Sequence, residues 1–99
     1  MLLILGKSPF HEQYESFLEI ARKAARREKV GILYIQDACI AATLDEYCRK
    51  AVDNGVNLYV LKEDCQARGL LEKMHANVKI VNYEGWVELV MDEYERIVS

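Results

Sequence analysis

Four short apolar runs, Leu2–Leu5, Val30–Ile35, Val56–Leu61 and Asn77–Val81, each give way within a few residues to a stretch with helical spacing. The runs are too short for helices and are bounded by glycine or polar residues, so they read as buried strands. The change is sharpest between Gly31 and Ala42. There Gly31–Ile35 ends at Gln36–Asp37, and Ile40, Ala41, Leu44, Tyr47, Cys48 and Ala51 then recur on one helical face. Strict alternation of this kind predicts an all-parallel sheet between two layers of helices, joined by right-handed crossovers. The expected architecture is a flavodoxin-like α/β/α sandwich with a four-stranded sheet in the order 2-1-3-4. Leu2–Leu5 is apolar at every position, as a strand covered on both faces must be.

The helices follow from the same spacing. A first helix is predicted over His11–Lys29, with Tyr14, Phe17, Leu18, Ala21, Ala24 and Ala25 on its buried stripe. Glu12, Glu15 and Glu19 come early in it, and Arg22, Lys23, Arg26, Arg27 and Lys29 come late. The helix dipole alone selects that order, so the basic cluster reads as a solvated helix end rather than a phosphate site. A second helix is predicted over Ala38–Asn54, stopped by Gly55. A short one over Cys65–Met74 should be weak at Gly69, and a last one over Trp86–Val98 carries Trp86, Val90, Tyr94 and Ile97 along one side.

Ninety-nine residues make one domain, 1–99, and 52% hydrophobic residues with one proline suffice for a packed core. The net charge of −3 argues against a basic face for nucleic acid or anionic membrane. No apolar run approaches the ~20 residues of a membrane span, and Met1–Leu5 is shorter than a signal-peptide core. A cytoplasmic location is therefore expected. The three cysteines lack zinc-type spacing, and His11 and His75 lie in no ligand motif, so neither metal nor cofactor is expected. Gly6–Lys7–Ser8 lacks the upstream glycines of a phosphate loop.

Two cysteines stand where chemistry collects in such folds, at the carboxyl edge of the sheet: Cys39 and Cys65. A helix start lowers a thiol pKa, whereas Asp37 near Cys39 and Glu63–Asp64 before Cys65 raise it. In the 2-1-3-4 order the crevice lies between strands one and three, rimmed by Lys7–Ser8 and Glu63–Asp64–Cys65. Cys39 and Cys65 would then be about 10 Å apart at the backbone, beyond disulfide reach. Cys48 falls on an apolar helical stripe and reads as packing. Tyr34 and Tyr59 read as core or interface, and Trp86 as core in preference to contact surface.

Four segments in register resemble one family. Lys7–Ser8–Pro9–Phe10 resembles its "SP-aromatic" loop, and Gln36–Ala42 its "QDGVxAA" turn, with Ala38 at the glycine position. Lys62–Leu70 resembles its "xEDxxARGL" segment, and Val81–Val90 its "VDYxGFVxLV" ending. The family is DsrH/TusB, in the wider DsrE-like group, and the resemblance runs essentially end to end.

The resemblance implies a non-catalytic subunit of a TusBCD- or DsrEFH-like sulfur-relay complex. Its partners would be DsrE/TusD-like and DsrF/TusC-like paralogues in a hetero-oligomer, or further copies of itself in a homo-oligomer. In TusBCD the relay passes persulfide sulfur toward 2-thiolation of a tRNA wobble uridine, and DsrEFH serves sulfur oxidation. No direct nucleic-acid binding and no membrane association are expected of this subunit. In TusD/DsrE-like paralogues the sulfur-accepting cysteine ends the strand before the "ARG" segment, a place matched here by Leu61. In DsrH relatives a cysteine lies within the first helix, matched here by about Phe17. The alternatives are a self-sufficient thiol sulfurtransferase using Cys65 or Cys39, and a small-ligand or nucleotide binding module in the crevice between strands one and three. Docking to the paralogues would draw on Tyr34, Tyr59 or Trp86.

Overall fold

A computed structural model describes residues 1–10 and 13–98. The strands are β1 (Leu2–Leu5), β2 (Gly31–Tyr34), β3 (Asn57–Leu61), β4 (Val78–Val81) and β5 (Ile97–Val98). The helices are α1 (Tyr14–Ala24), α2 (Asp45–Val52), α3 (Lys62–Ala67) and α4 (Tyr83–Glu88). A 3-10 segment, Gln36–Thr43, precedes α2, and a π turn, Leu89–Glu93, continues α4. The expected start of the first helix, His11 and Glu12, lies outside the described residues.

The parallel α/β class is as expected, but the winding differs. The sheet has five strands in the order β4-β3-β2-β1-β5, not four in the order 2-1-3-4. β2 stands between β1 and β3, with Leu3 opposite Ile32 and Leu33 opposite Tyr59. The physical reason is that Leu2–Leu5 needs a neighbour on each edge. With four strands only strand three could supply the second one; here β5 does, pairing Ile97 with Leu2 and Val98 with Leu3.

Right-handed crossovers then fix the layers. From β1 to β4 each strand is added on the same side, so α1, α2 and α3 share one face. The return from β4 to β5 runs the other way and places α4 on the opposite face. The two cores reflect this. Leu3, Leu5, Ile32, Tyr34, Leu58 and Val60 pack with Leu18, Ala21, Cys48 and Ala51 on the three-helix face. Leu2, Leu33, Tyr59 and Val81 pack with Leu89 and Tyr94 on the other. The second layer is thus a single helix and its π turn.

Three boundaries depart from the periodicity. The single helix expected over Ala38–Asn54 is broken at Leu44, which is extended. The His75 amide donates to the Ala42 carbonyl at 2.8 Å, the acceptor a continuous helix would offer to Glu46. The Thr43 hydroxyl takes the Ile40 carbonyl at 2.7 Å. α3 starts at Lys62 rather than Cys65, directly off β3, and breaks at Gly69, whose φ is +66°. The last helix starts at Tyr83, where the Asn82 side chain caps it by accepting from the Gly85 amide at 2.9 Å. It ends at Glu93 instead of Val98, because Tyr94 turns extended and hydrogen-bonds through its hydroxyl to that of Tyr59 at 3.0 Å.

The chain ends are tied together. The Met1 ammonium lies 2.9 Å from Glu28, Arg96 also contacts Glu28, and Lys29 pairs with Glu93 at 2.7 Å while sitting over the Tyr94 ring. Among the described residues no helix is long and apolar enough to cross a membrane.

Candidate functional site

The carboxyl edge of β2 and β3 gathers the polar residues of two of the four segments singled out above. β2 runs out through Ile35 into Gln36, whose φ of +49° is the one positive value at a non-glycine residue among those described. Such a conformation costs about 1 kcal/mol or more and has to be held from outside. The hold comes from the next strand: the Gln36 amide donates to the Asp64 carboxylate at 2.6 Å. Asp64 lies in the first turn of α3, which leaves β3 with no intervening loop. One turn on, Arg68 reaches back to Asp37 at 3.3 Å and to the Asp64 carbonyl at 3.3 Å. The "QD" and "ED…R" segments are thus interlocked. Gly6 closes the edge from β1, since a Cβ there would come within 2.9 Å of the Gln36 amide oxygen.

Beneath this lattice lie Cys39 and Cys65, both fully buried. The expectation that they stand apart is corrected: β2 and β3 are adjacent, and the two thiols influence each other directly. Burial holds both thiols in the protonated form. Burial, followed by the neighbouring Cys65, pushes the Cys39 thiol up to about 12. Burial likewise raises Cys65, although Cys39 partly offsets this. The Cys39 thiol donates instead to the Tyr34 carbonyl, at 3.7 Å. Cys48, also fully buried, is raised to about 11 by burial and bonds to the Ala41 carbonyl at 3.5 Å. Desolvation is the largest influence on each of the three thiols, and it favours the neutral form.

The crevice expected between strands one and three does not form, because β2 fills that place. Lys7 and Ser8 instead line a separate cavity of about 270 Å³ with Gln13, Tyr14 and Phe17, beside β1. Leu61 is buried at the end of β3, and Phe17 packs against the larger core. Among the described residues no cluster of histidine, cysteine and carboxylate side chains suits a metal ion.

Tyr34 and Tyr59 are core. Tyr34 bonds to the Tyr14 hydroxyl at 3.0 Å, and Tyr59 packs edge-on against Tyr94. Neither is available for docking. Trp86 is half-buried and stacks against Tyr83 at 6.2 Å between ring centres. Sequence reasoning missed the Gln36–Asp64 contact, for which no local signal exists. It also missed the outward row Tyr83, Val87 and Met91, whose four-residue spacing was readable beside the inward stripe.

The comparisons with known proteins agree with this architecture. The model of the family described as "DsrH like protein" matches residues 7–95. Protein TusB of Photorhabdus laumondii is 31% identical over 97 residues, covering 97% of each chain. Protein TusB of Pectobacterium parmentieri is 29% identical over 98 residues, covering 98% of each, as is that of Yersinia pestis strain Pestoides F. In fold, the chain is similar to the crystal structure of the ychN protein from E. coli, with a TM-score of 0.81 at 12% identity, covering 98% of this chain and 95% of that one. Matched along nearly its whole length in sequence, with the family's segments interlocked at one sheet edge, the chain belongs to the DsrH/TusB family.

Proposed function

We propose that this chain is a non-catalytic subunit of a sulfur-relay complex of the TusBCD/DsrEFH type, working toward 2-thiolation of the tRNA wobble uridine. The observation that carries the reading is the state of its thiols: Cys39, Cys48 and Cys65 are all fully buried, with raised pKa values. Persulfide transfer requires a thiolate that can reach the outer sulfur of the donor. A fully buried, protonated thiol does neither. The place matched to the sulfur-accepting cysteine of TusD/DsrE-like paralogues is near Leu61, and the one matched to the first-helix cysteine of DsrH relatives is about Phe17; neither is a thiol. On this reading the sulfur-handling atom belongs to a DsrE/TusD-like paralogue, and this chain supplies shape.

The test is co-expression with the DsrE-like and DsrF-like proteins of the same genome, followed by persulfide loading and intact-mass measurement of each subunit. The expected result is a hetero-oligomer in which one sulfur atom is added to a partner and none to this chain. A sulfur adduct on this chain that disappears in Cys65→Ser or Cys39→Ser would overturn the reading in favour of a self-sufficient sulfurtransferase.

A further inference from the structure

On the face of the sheet that α4 covers, this helix and the π turn that continues it carry two apolar stripes. Trp86, Leu89 and Val90 face inward and pack in the smaller core. Tyr83, Val87 and Met91 face outward and are 54%, 60% and 75% exposed. Residues four apart on a helix form one ridge. This ridge, with Trp86, Val90, Ile4 and Ile97, lines an open groove of about 510 Å³ between α4 and the β1–β5 edge. Among the described residues this face of the sheet carries one helix where the other face carries three. Tyrosine, tryptophan and methionine are the residues enriched at protein interfaces.

Directly beside the apolar ridge runs a second row with the same spacing: Glu84, Glu88 and Asp92, all exposed. None of the three forms a salt bridge among the described residues, whereas neighbouring Glu93 is taken by Lys29. Three exposed carboxylates, each following a groove-lining residue (Tyr83, Val87, Met91) in sequence, set the charge of what would fit there. A second copy of this chain, docked antiparallel through the same ridge about a two-fold axis, would set this acidic row against itself.

We propose that the groove seats an amphipathic helix of a different protein, whose apolar ridge lies against Tyr83, Val87 and Met91 and whose flank carries lysine or arginine opposite Glu84, Glu88 and Asp92. The helix completes the second layer of the sandwich. The core tyrosines Tyr34 and Tyr59 take no part. The proposal rests on the subunit reading above for the partner's identity, not for its chemistry.

The test measures binding of the DsrE-like and DsrF-like paralogues to the wild-type chain, to Val87→Asp with Met91→Asp, and to Glu84→Lys with Glu88→Lys and Asp92→Lys. Thermal melting of each isolated chain reports its folding. The expected result is at least a tenfold loss of affinity in both variants, a fall in wild-type affinity with added salt, and little change in melting. Unchanged affinity in either variant overturns the proposal while leaving the subunit reading intact. So does a wild-type homodimer that Val87→Asp with Met91→Asp disrupts. If the wild-type chain binds neither paralogue, the subunit reading fails, and isotope-labelled chain is titrated with two amphipathic helical peptides, one with lysine flanks and one with glutamate. NMR shifts centred on residues 83–91, with a tenfold preference for the lysine peptide, sustain the groove's assignment; equal binding or none refutes it.

Discussion

Gly31 opens β2 at the point where Tyr59 and Tyr94 meet. A Cβ there would come within 2.5 Å of the Tyr94 hydroxyl and 2.9 Å of the Tyr59 ring. An added methyl must push the tyrosine pair apart, so Gly31→Ala is expected to destabilise the fold by about 2 kcal/mol. Tyr94→Phe removes the hydroxyl that meets Tyr59 at 3.0 Å and Asn57 at 3.4 Å, and should cost about 1 kcal/mol, the smaller effect of the two. Urea denaturation of both variants checks the ranking. The buried thiols make a second prediction. Cys39 and Cys48 ordinarily ionise near 9.0 and are raised to about 12 and about 11 in the fold. The unfolded chain therefore sheds these protons first. Their contribution to stability is fully present below pH 9 and is lost as pH rises from 9 toward 11–12. Urea midpoints should fall across that window, and Cys39→Ala with Cys48→Ala should flatten the decline. At this scale the burial of Cys48 was legible, because its place on a helical stripe is local. The left-handed Gln36 was not, because Asp64 holds it from twenty-eight residues away.

Elements were legible in proportion to how local their causes are. The four strands could be read because each is a short apolar run, and the stops at Gly55 and Gly69 because only glycine sits easily at φ values of +79° and +66°. β5 was hidden: it is two residues long, lies on an edge, and its Ile97 falls in helical register with Val90 and Tyr94. The break at Leu44 was hidden for a different reason, since the group that claims the Ala42 carbonyl is the distant His75 amide. The caps give a test at this scale. Asn82 satisfies the Gly85 amide, so Asn82→Ala is expected to cost about 1 kcal/mol. Asn82→Asp should cost much less, because aspartate accepts the same bond. Both are read from chemical denaturation.

For the whole molecule, the sequence supported a parallel sheet flanked by helices but not its winding. Strand order depends on how many strands compete for the centre, and one unseen strand moved β3 away from β1. The same miss displaced the candidate site: the expected crevice vanished, and Cys39 and Cys65 became neighbours under a polar lattice. The unequal layers carry a dynamic prediction. Three helices cover one face, whereas α4 and its π turn alone cover the other. Hydrogen exchange should show the amides of α4 and β5 opening at lower free energy than those of β2 and α2. Addition of the partner that fills the groove should slow exchange on the α4 side first.

β5 joins β1, so a strand made late seals a seam left by one made early. During synthesis β1 can zip to β2, and β2 to β3, as they leave the ribosome, yet the other margin of β1 stays unlatched until Ile97 and Val98 emerge. An apolar strand with a free margin is a template for stray pairing between nascent chains. The Glu28 carboxylate, which grips both Met1 and Arg96, fastens that seam once it closes.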